Sequence, residues 1–203
     1  MCSTEDFIFT KEQSVILDFF KELSLDNTLK NKNALELGGY YGRDAIALDW
    51  FNNITIIDYD KNSVKFFDYL KKEKKPRHNI ELKIFDFTSE NDMKKNIGEK
   101  KYDIIYSYNV LHLLTKNTLK GFLKYINTYL TDTGCMLHVF ISDKDGREYN
   151  CKNEIIYKLK KQELIKVFTE ANFQIKKIEY RDVYETHGGT HLHIMYFIYV
   201  ERK

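Results

Sequence analysis

Two long β-rich runs, residues 173–184 and 191–200, close this chain with no helical pattern between them. Adjacent strands of this kind imply a hairpin, and a hairpin sets one strand antiparallel to its neighbour. The residues before them read differently. Apolar runs of strand length alternate with helical patterns, which is the signature of a parallel sheet with crossover helices. Together they predict an α/β, Rossmann-like, doubly wound fold: a seven-stranded mixed sheet, helices on both faces, only the last strand antiparallel. The six parallel strands of the dinucleotide-binding fold do not match this order.

The expected strands are NALEL (33–37), NITIID (53–58), NIELKIFDF (79–87), YDIIYSYNVL (102–111) and GCMLHVFI (134–141), followed by the final pair. Between them, apolar residues recur at helical spacing. Val15, Phe19 and Leu23 share one face of a helix over 11–23, and a second helix is expected from 41 to 51. Asp60 can cap the next, where Val64, Phe67 and Leu70 repeat every three residues. Leu119, Phe122, Leu123, Ile126 and Leu130 form another stripe, and so do Leu164, Val167, Phe168 and Ala171, with Asn172 able to end that helix in a left-handed conformation. The stretch SDKDGREYNCKNE (142–154) has no period and reads as a loop, placed where α/β domains often build substrate sites. With 203 residues and no linker, the expectation is a single domain, with residues 1–30 as a helical cap over the active site.

The stretch ALELGGYYGRD (34–44) joins a strand to a helix through a glycine turn, which gathers backbone N–H groups at one spot. Asp58 ends the second strand about 20 residues beyond Gly38, where a carboxylate can take both hydroxyls of a ribose. Asp86 ends the third strand in the same layer. A loop with two acidic strand ends in register is much stronger evidence for a cofactor site than the loop alone.

With these residues in place, the chain resembles the class I S-adenosylmethionine-dependent methyltransferases over roughly residues 30–200. LELGGYYGRDAIAL resembles their first motif, with Glu36 as the acidic member and Gly38, Gly39 and Gly42 as the glycines. The resemblance implies that Asp58 of IIDYD, with Tyr59 beside it, binds the ribose, and that Asp86 of IFDF, with Phe87, receives the adenine. In YDIIYSYNVLHLL it places Ser107 and Asn109 near the methionine end and His112 on the substrate side. The GRDA continuation is most similar to the small-molecule branch, which includes the tellurite-resistance type.

Tyr40 departs from that pattern, because the family usually has glycine there. A dinucleotide site needs the glycine to make room for a pyrophosphate. S-adenosylmethionine has none, so a side chain at Tyr40 can lie along the methionine or over the pocket mouth. The expectation is therefore an enzyme with S-adenosylmethionine as cofactor and a small-molecule substrate. A non-enzymatic S-adenosylmethionine-binding module and an NAD-type oxidoreductase remain as alternatives.

Methyl transfer to a weak acceptor such as a hydroxyl needs a base with a near-neutral pKa, and histidine is the usual one. His112 and His187 are the candidates. THGGTHLH also holds His191 and His193, which strand alternation puts on one face. No carboxylate or cysteine accompanies them at a supporting sequence spacing, so no metal is expected.

A net charge of +2 provides no electrostatic argument for nucleic acid or an anionic membrane, and the basic run KKEKKPR (71–77) reads as a solvated connection. Three cysteines without paired spacing, no signal-like start and no apolar run of membrane length point to a cytoplasmic protein, monomer or homodimer.

Overall fold

The computed structural model describes residues 14–146, 155–185 and 191–203. Its strands are β1 (Asn33–Leu37), β2 (Asn53–Asp58), β3 (Asn79–Ile84), β4 (Tyr102–Tyr108), β5 (Leu130–Ile141), β6 (Phe173–Glu185) and β7 (His191–Arg202). They form one sheet in the order β3-β2-β1-β4-β5-β7-β6. Every pair from β3 to β5 is parallel, while β7 is antiparallel to both β5 and β6. Only β7 runs against the others, as the closing pair of β-runs predicts.

Each face of the sheet carries its own core, because successive strand residues point to opposite sides. On one face Leu35, Leu37, Ile57 and Ile105 meet α5 (Glu90–Ile97), α6 (Lys116–Ile126) and α7 (Lys161–Glu170) through Met93, Leu119, Phe122, Leu164 and Phe168. On the other, Ala34, Ile54, Ile56, Ile104 and Tyr106 meet α1 (Val15–Glu22), α3 (Arg43–Ala47) and α4 (Ser63–Lys74) through Ile16, Phe19, Phe20, Ala45 and Phe67. The short α2 (Leu25–Thr28) follows α1. Helices thus cover both faces.

Ser14 caps α1, its hydroxyl accepting the N–H of Leu17 and donating to Asp44. Phe20 then packs edge-on against Trp50, Phe51 and Tyr106, so α1 is fastened across the second face. Residues 1–13, including Phe7 and Phe9 of the expected cap, lie outside the described residues.

Several elements differ from the sequence reading. The helix expected over 41–51 keeps only residues 43–47, because Leu48 and Phe51 leave the helical path to bury themselves in the core. β4 stops at Tyr108, where Asn109 turns left-handed at φ 57°. α5 went unread because only Met93 and Ile97 of its eight residues are buried, too sparse a stripe to register. Asn172 does end its helix region with φ 67°.

Candidate active site

The parallel strands and β6 end, and the antiparallel β7 begins, on one side of the sheet, so the candidate residues converge there. The loop after β1 is built from three left-handed residues: Gly38 (φ 65°), Tyr40 (φ 46°) and Gly42 (φ 78°). Gly38 is required twice over. Besides its φ, a Cβ there would stand 2.4 Å from a methyl of Val110. At Gly39 a Cβ would stand 2.6 Å from both the Glu36 carboxyl and a methyl of Ile56. Tyr40 occupies a conformation that costs a non-glycine residue on the order of 1–3 kcal/mol. Two contacts hold it: its N–H donates to Oδ2 of Asp58 at 2.7 Å, and its ring packs against Tyr41 and Phe66.

Asp58 also accepts the N–H of Asp60 through Oδ1 at 2.8 Å. Burial raises the Asp58 carboxyl above its ordinary pKa, and these backbone donors pull it back. Glu36 is buried beneath the loop, with the Tyr106 hydroxyl donating to Oε2 at 3.2 Å. Burial first, and the neighbouring Asp44 second, push the Glu36 carboxyl well above the usual range. Arg43 pairs with Asp44 at 3.1 Å and lies over the Tyr108 ring.

The residues that follow β2 and β3 separate. Asp86 is exposed, and its Oδ1 accepts from the N–H and hydroxyl of Thr88, closing a tight turn. Tyr59 is 64% exposed. Phe87 is buried against Phe122, so its ring belongs to the core.

Two residues expected together after β4 also part company. Ser107 lies on the opposite face from Glu36, wholly buried, with its hydroxyl 2.8 Å from Nδ1 of His138. That hydroxyl is committed to the core, because alternation along β4 sends the side chain to the face opposite Glu36. Asn109 follows β4 at the same end of the sheet as the glycine loop. Its Nδ2 donates to Oε1 of Glu185 at 2.7 Å, and its Oδ1 is buried without a partner among the described residues. An orphaned acceptor at a strand end is what a ligand's N–H or ammonium would satisfy.

His112 sits in a 3₁₀ turn (Leu111–Leu113), buried, with Nδ1 accepting the N–H of Ile141 at 3.4 Å. Burial, helped by nearby His193, lowers its pKa to about 4. It is therefore neutral at pH 7 but a weaker base than the near-neutral group expected. His187 and most of the loop 142–154 lie outside the described residues.

The sequence reading missed Tyr108, Asp145 and Glu185. Glu185 accepts from the Tyr108 hydroxyl at 2.5 Å and lies directly across the hairpin from His191. The expectation of no metal assumed that no carboxylate supports these histidines, and Glu185 corrects that assumption. The available signal was the symmetry of Glu185 and His191 about the closing turn.

A surface cavity of about 660 Å³ lined by Lys94, Gly98, Glu99, Lys101, Thr128 and Tyr129 lies at the opposite end of the sheet, where β4 and β5 begin. None of the residues above reaches it.

A family model described as tellurite resistance protein TehB matches residues 1–191. No curated protein matches the chain. Among solved structures, a SAM-dependent methyltransferase from Methanosarcina mazei superposes with a TM-score of 0.72 at 14% identity, covering 88% of this chain and 96% of that one. TehB from Haemophilus influenzae gives 0.69 at 16% identity, covering 98% of this chain and 65% of that one. Magnesium protoporphyrin IX methyltransferase from Synechocystis, solved with bound SAM, gives 0.69 at 14% identity over 93% and 78%. At these identities the structures establish the fold.

Proposed function

The chain belongs to the TehB family of tellurite resistance proteins, and on that premise we propose that it is an S-adenosylmethionine-dependent methyltransferase acting on a small-molecule acceptor. The observation that carries this reading is the join between the glycine loop and the second strand: Tyr40 N–H to Asp58 Oδ2, 2.7 Å. It holds the carboxylate at the mouth of the loop. Its backbone donors occupy only part of its acceptor capacity, and the remainder suits ribose hydroxyls.

Other residues supply the rest of the fit. Asn109 offers an unpartnered buried oxygen to the ammonium of the methionine end. Gly39, where a Cβ would collide with Glu36 and Ile56, lets the loop backbone pack directly on the buried carboxyl. Asp86, exposed at the end of the third strand, keeps Oδ2 outside its turn for an adenine amine. Tyr40 in a left-handed conformation stands where a pyrophosphate would need glycine, which argues against an NAD-type oxidoreductase.

When bound, S-adenosylmethionine brings an activated methyl group whose leaving group is a neutral thioether. What remains for the protein is alignment and exclusion of water, worth several kcal/mol of barrier. His112, neutral and buried, borders the acceptor side in this proposal, and His187 is the second candidate offered by the sequence. Net charge of +2 supports a small acceptor over nucleic acid. No helix among the described residues is long and apolar enough to cross a membrane.

Calorimetry with S-adenosylmethionine, S-adenosylhomocysteine and NAD tests the cofactor, with micromolar binding of the first two expected. Transfer of labelled methyl to small acceptors, oxyanions of the chalcogens included, tests the activity. Binding without any turnover would leave a non-enzymatic binding module as the better reading.

A further inference from the structure

The closing hairpin brings together three groups that are far from any metal motif in sequence. Glu185 ends β6, while His191 and His193 open β7 on the same face. Nε2 of His191 lies 3.8 Å from Oε2 of Glu185, and Nε2 of His193 lies 3.7 Å from the same oxygen. One ligand atom from each residue falls within 4.8 Å of the others. The two nitrogen–oxygen separations exceed hydrogen-bond length. Two ligands each about 2.1 Å from a shared tetrahedral cation stand roughly 3.4 Å apart, so each histidine nitrogen is within a few tenths of an ångström of that distance from the carboxylate oxygen.

The outer contacts point the same way. Asp145 Oδ2 lies 2.9 Å from Nδ1 of His193 and also accepts the N–H of Ile194 at 3.1 Å. With Nδ1 facing that carboxylate, Nε2 of the ring faces Glu185. Carboxylate–histidine pairs of this kind orient metal-binding imidazoles. Glu185 is oriented as well. Tyr108 and Asn109 both donate to its Oε1, which leaves Oε2 facing the histidines. The His191 and His193 rings meet edge to face at 4.7 Å. The Glu185 and His191 side chains are each 19% exposed, enough to admit an ion.

We propose that Glu185, His191 and His193 bind a divalent first-row transition metal, with Asp145, Tyr108 and Asn109 as the residues that orient the ligands. Two imidazoles and one carboxylate with open positions suit Zn²⁺, Co²⁺ or Fe²⁺ rather than Mg²⁺ or Ca²⁺. Because Asn109 links Glu185 to the cofactor loop's side of the sheet, the open positions are suited to an oxygen-bearing acceptor such as a phenol, alcohol or oxyanion. That role rests on the methyltransferase reading; the metal site itself does not.

The test titrates Co²⁺ into the full chain after chelator treatment and follows visible d–d absorption, then displaces it with Zn²⁺. One equivalent should bind, and Glu185→Gln and His191→Ala should each weaken binding at least tenfold. His78→Ala, outside the cluster, should leave it unchanged. Circular dichroism checks each variant's fold, and His191→Gln replaces His191→Ala should that variant unfold. Absence of a stoichiometric site, or binding that survives both Glu185→Gln and a folded His191 variant, overturns the proposal. The assay involves neither S-adenosylmethionine nor methyl transfer, so its failure leaves the methyltransferase reading standing.

Discussion

The backbone N–H of Tyr40 donates to Oδ2 of Asp58 at 2.7 Å, binding a left-handed tyrosine to the carboxylate that ends β2. The contact couples the loop's shape to the carboxylate proposed to take the ribose. A strained backbone persists only where its surroundings over-determine it, and here the surroundings are Asp58 on one side and the Tyr41 and Phe66 rings on the other.

Asp58→Ala removes the acceptor for both the Tyr40 and Asp60 N–H groups, as well as the proposed ribose ligand. Affinity for S-adenosylhomocysteine should fall by roughly 2–4 kcal/mol. Asp58→Asn, which keeps one carbonyl oxygen, should lose less. Calorimetry returning the parent affinity for the alanine variant would take Asp58 out of the site.

Tyr40→Gly should leave stability within about 1 kcal/mol of the parent, since relief of the positive φ offsets the lost ring contacts and the added chain entropy. Tyr40→Val should be at least about 1 kcal/mol worse than the glycine variant, because a β-branched residue resists φ near 46°. Urea unfolding of both ranks them, and equal stabilities would mean that the loop relaxes away from this geometry.

Gly38→Ala should cost about 2–4 kcal/mol, combining an unfavourable φ with a methyl driven into Val110. Adding Val110→Ala should return at least about 1 kcal/mol of coupling in a double-mutant cycle. Strict additivity would show that φ alone sets the cost.

His138 is wholly buried, and desolvation lowers its pKa to about 3. The unfolded chain takes up its proton near pH 6.5, so the unfolded state binds more protons between that value and 3. Stability is therefore intact above pH 6.5 and declines on acidification. Between pH 7 and pH 5 the contribution is about 2 kcal/mol. His138→Gln should show correspondingly less acid sensitivity in urea melts over that range, whatever its stability at pH 7. Parallel curves for the two proteins would place the ring in contact with water.

Periodicity and chain order were enough to predict the sheet, because the burial of strands and helices writes its repeat into local sequence. The antiparallel last strand needed only the absence of a helix between residues 184 and 191. Asp58 and the glycines were legible for the same reason: a strand end and its turn are local. Ser107 was not. One step along β4 separates the core face from the site face, and the facing histidine, His138, comes from another strand. The roles of Glu185 and Asp145 beside His191 and His193 went unread for a related reason. Asp145 reaches His193 across 48 residues and Tyr108 reaches Glu185 across 77, contacts that no local pattern carries, while Glu185 meets the histidines through the register of the hairpin. Even Tyr40, which looked like a departure from the loop's pattern, takes a left-handed conformation that favours glycine, with its N–H held by a carboxylate 18 residues away.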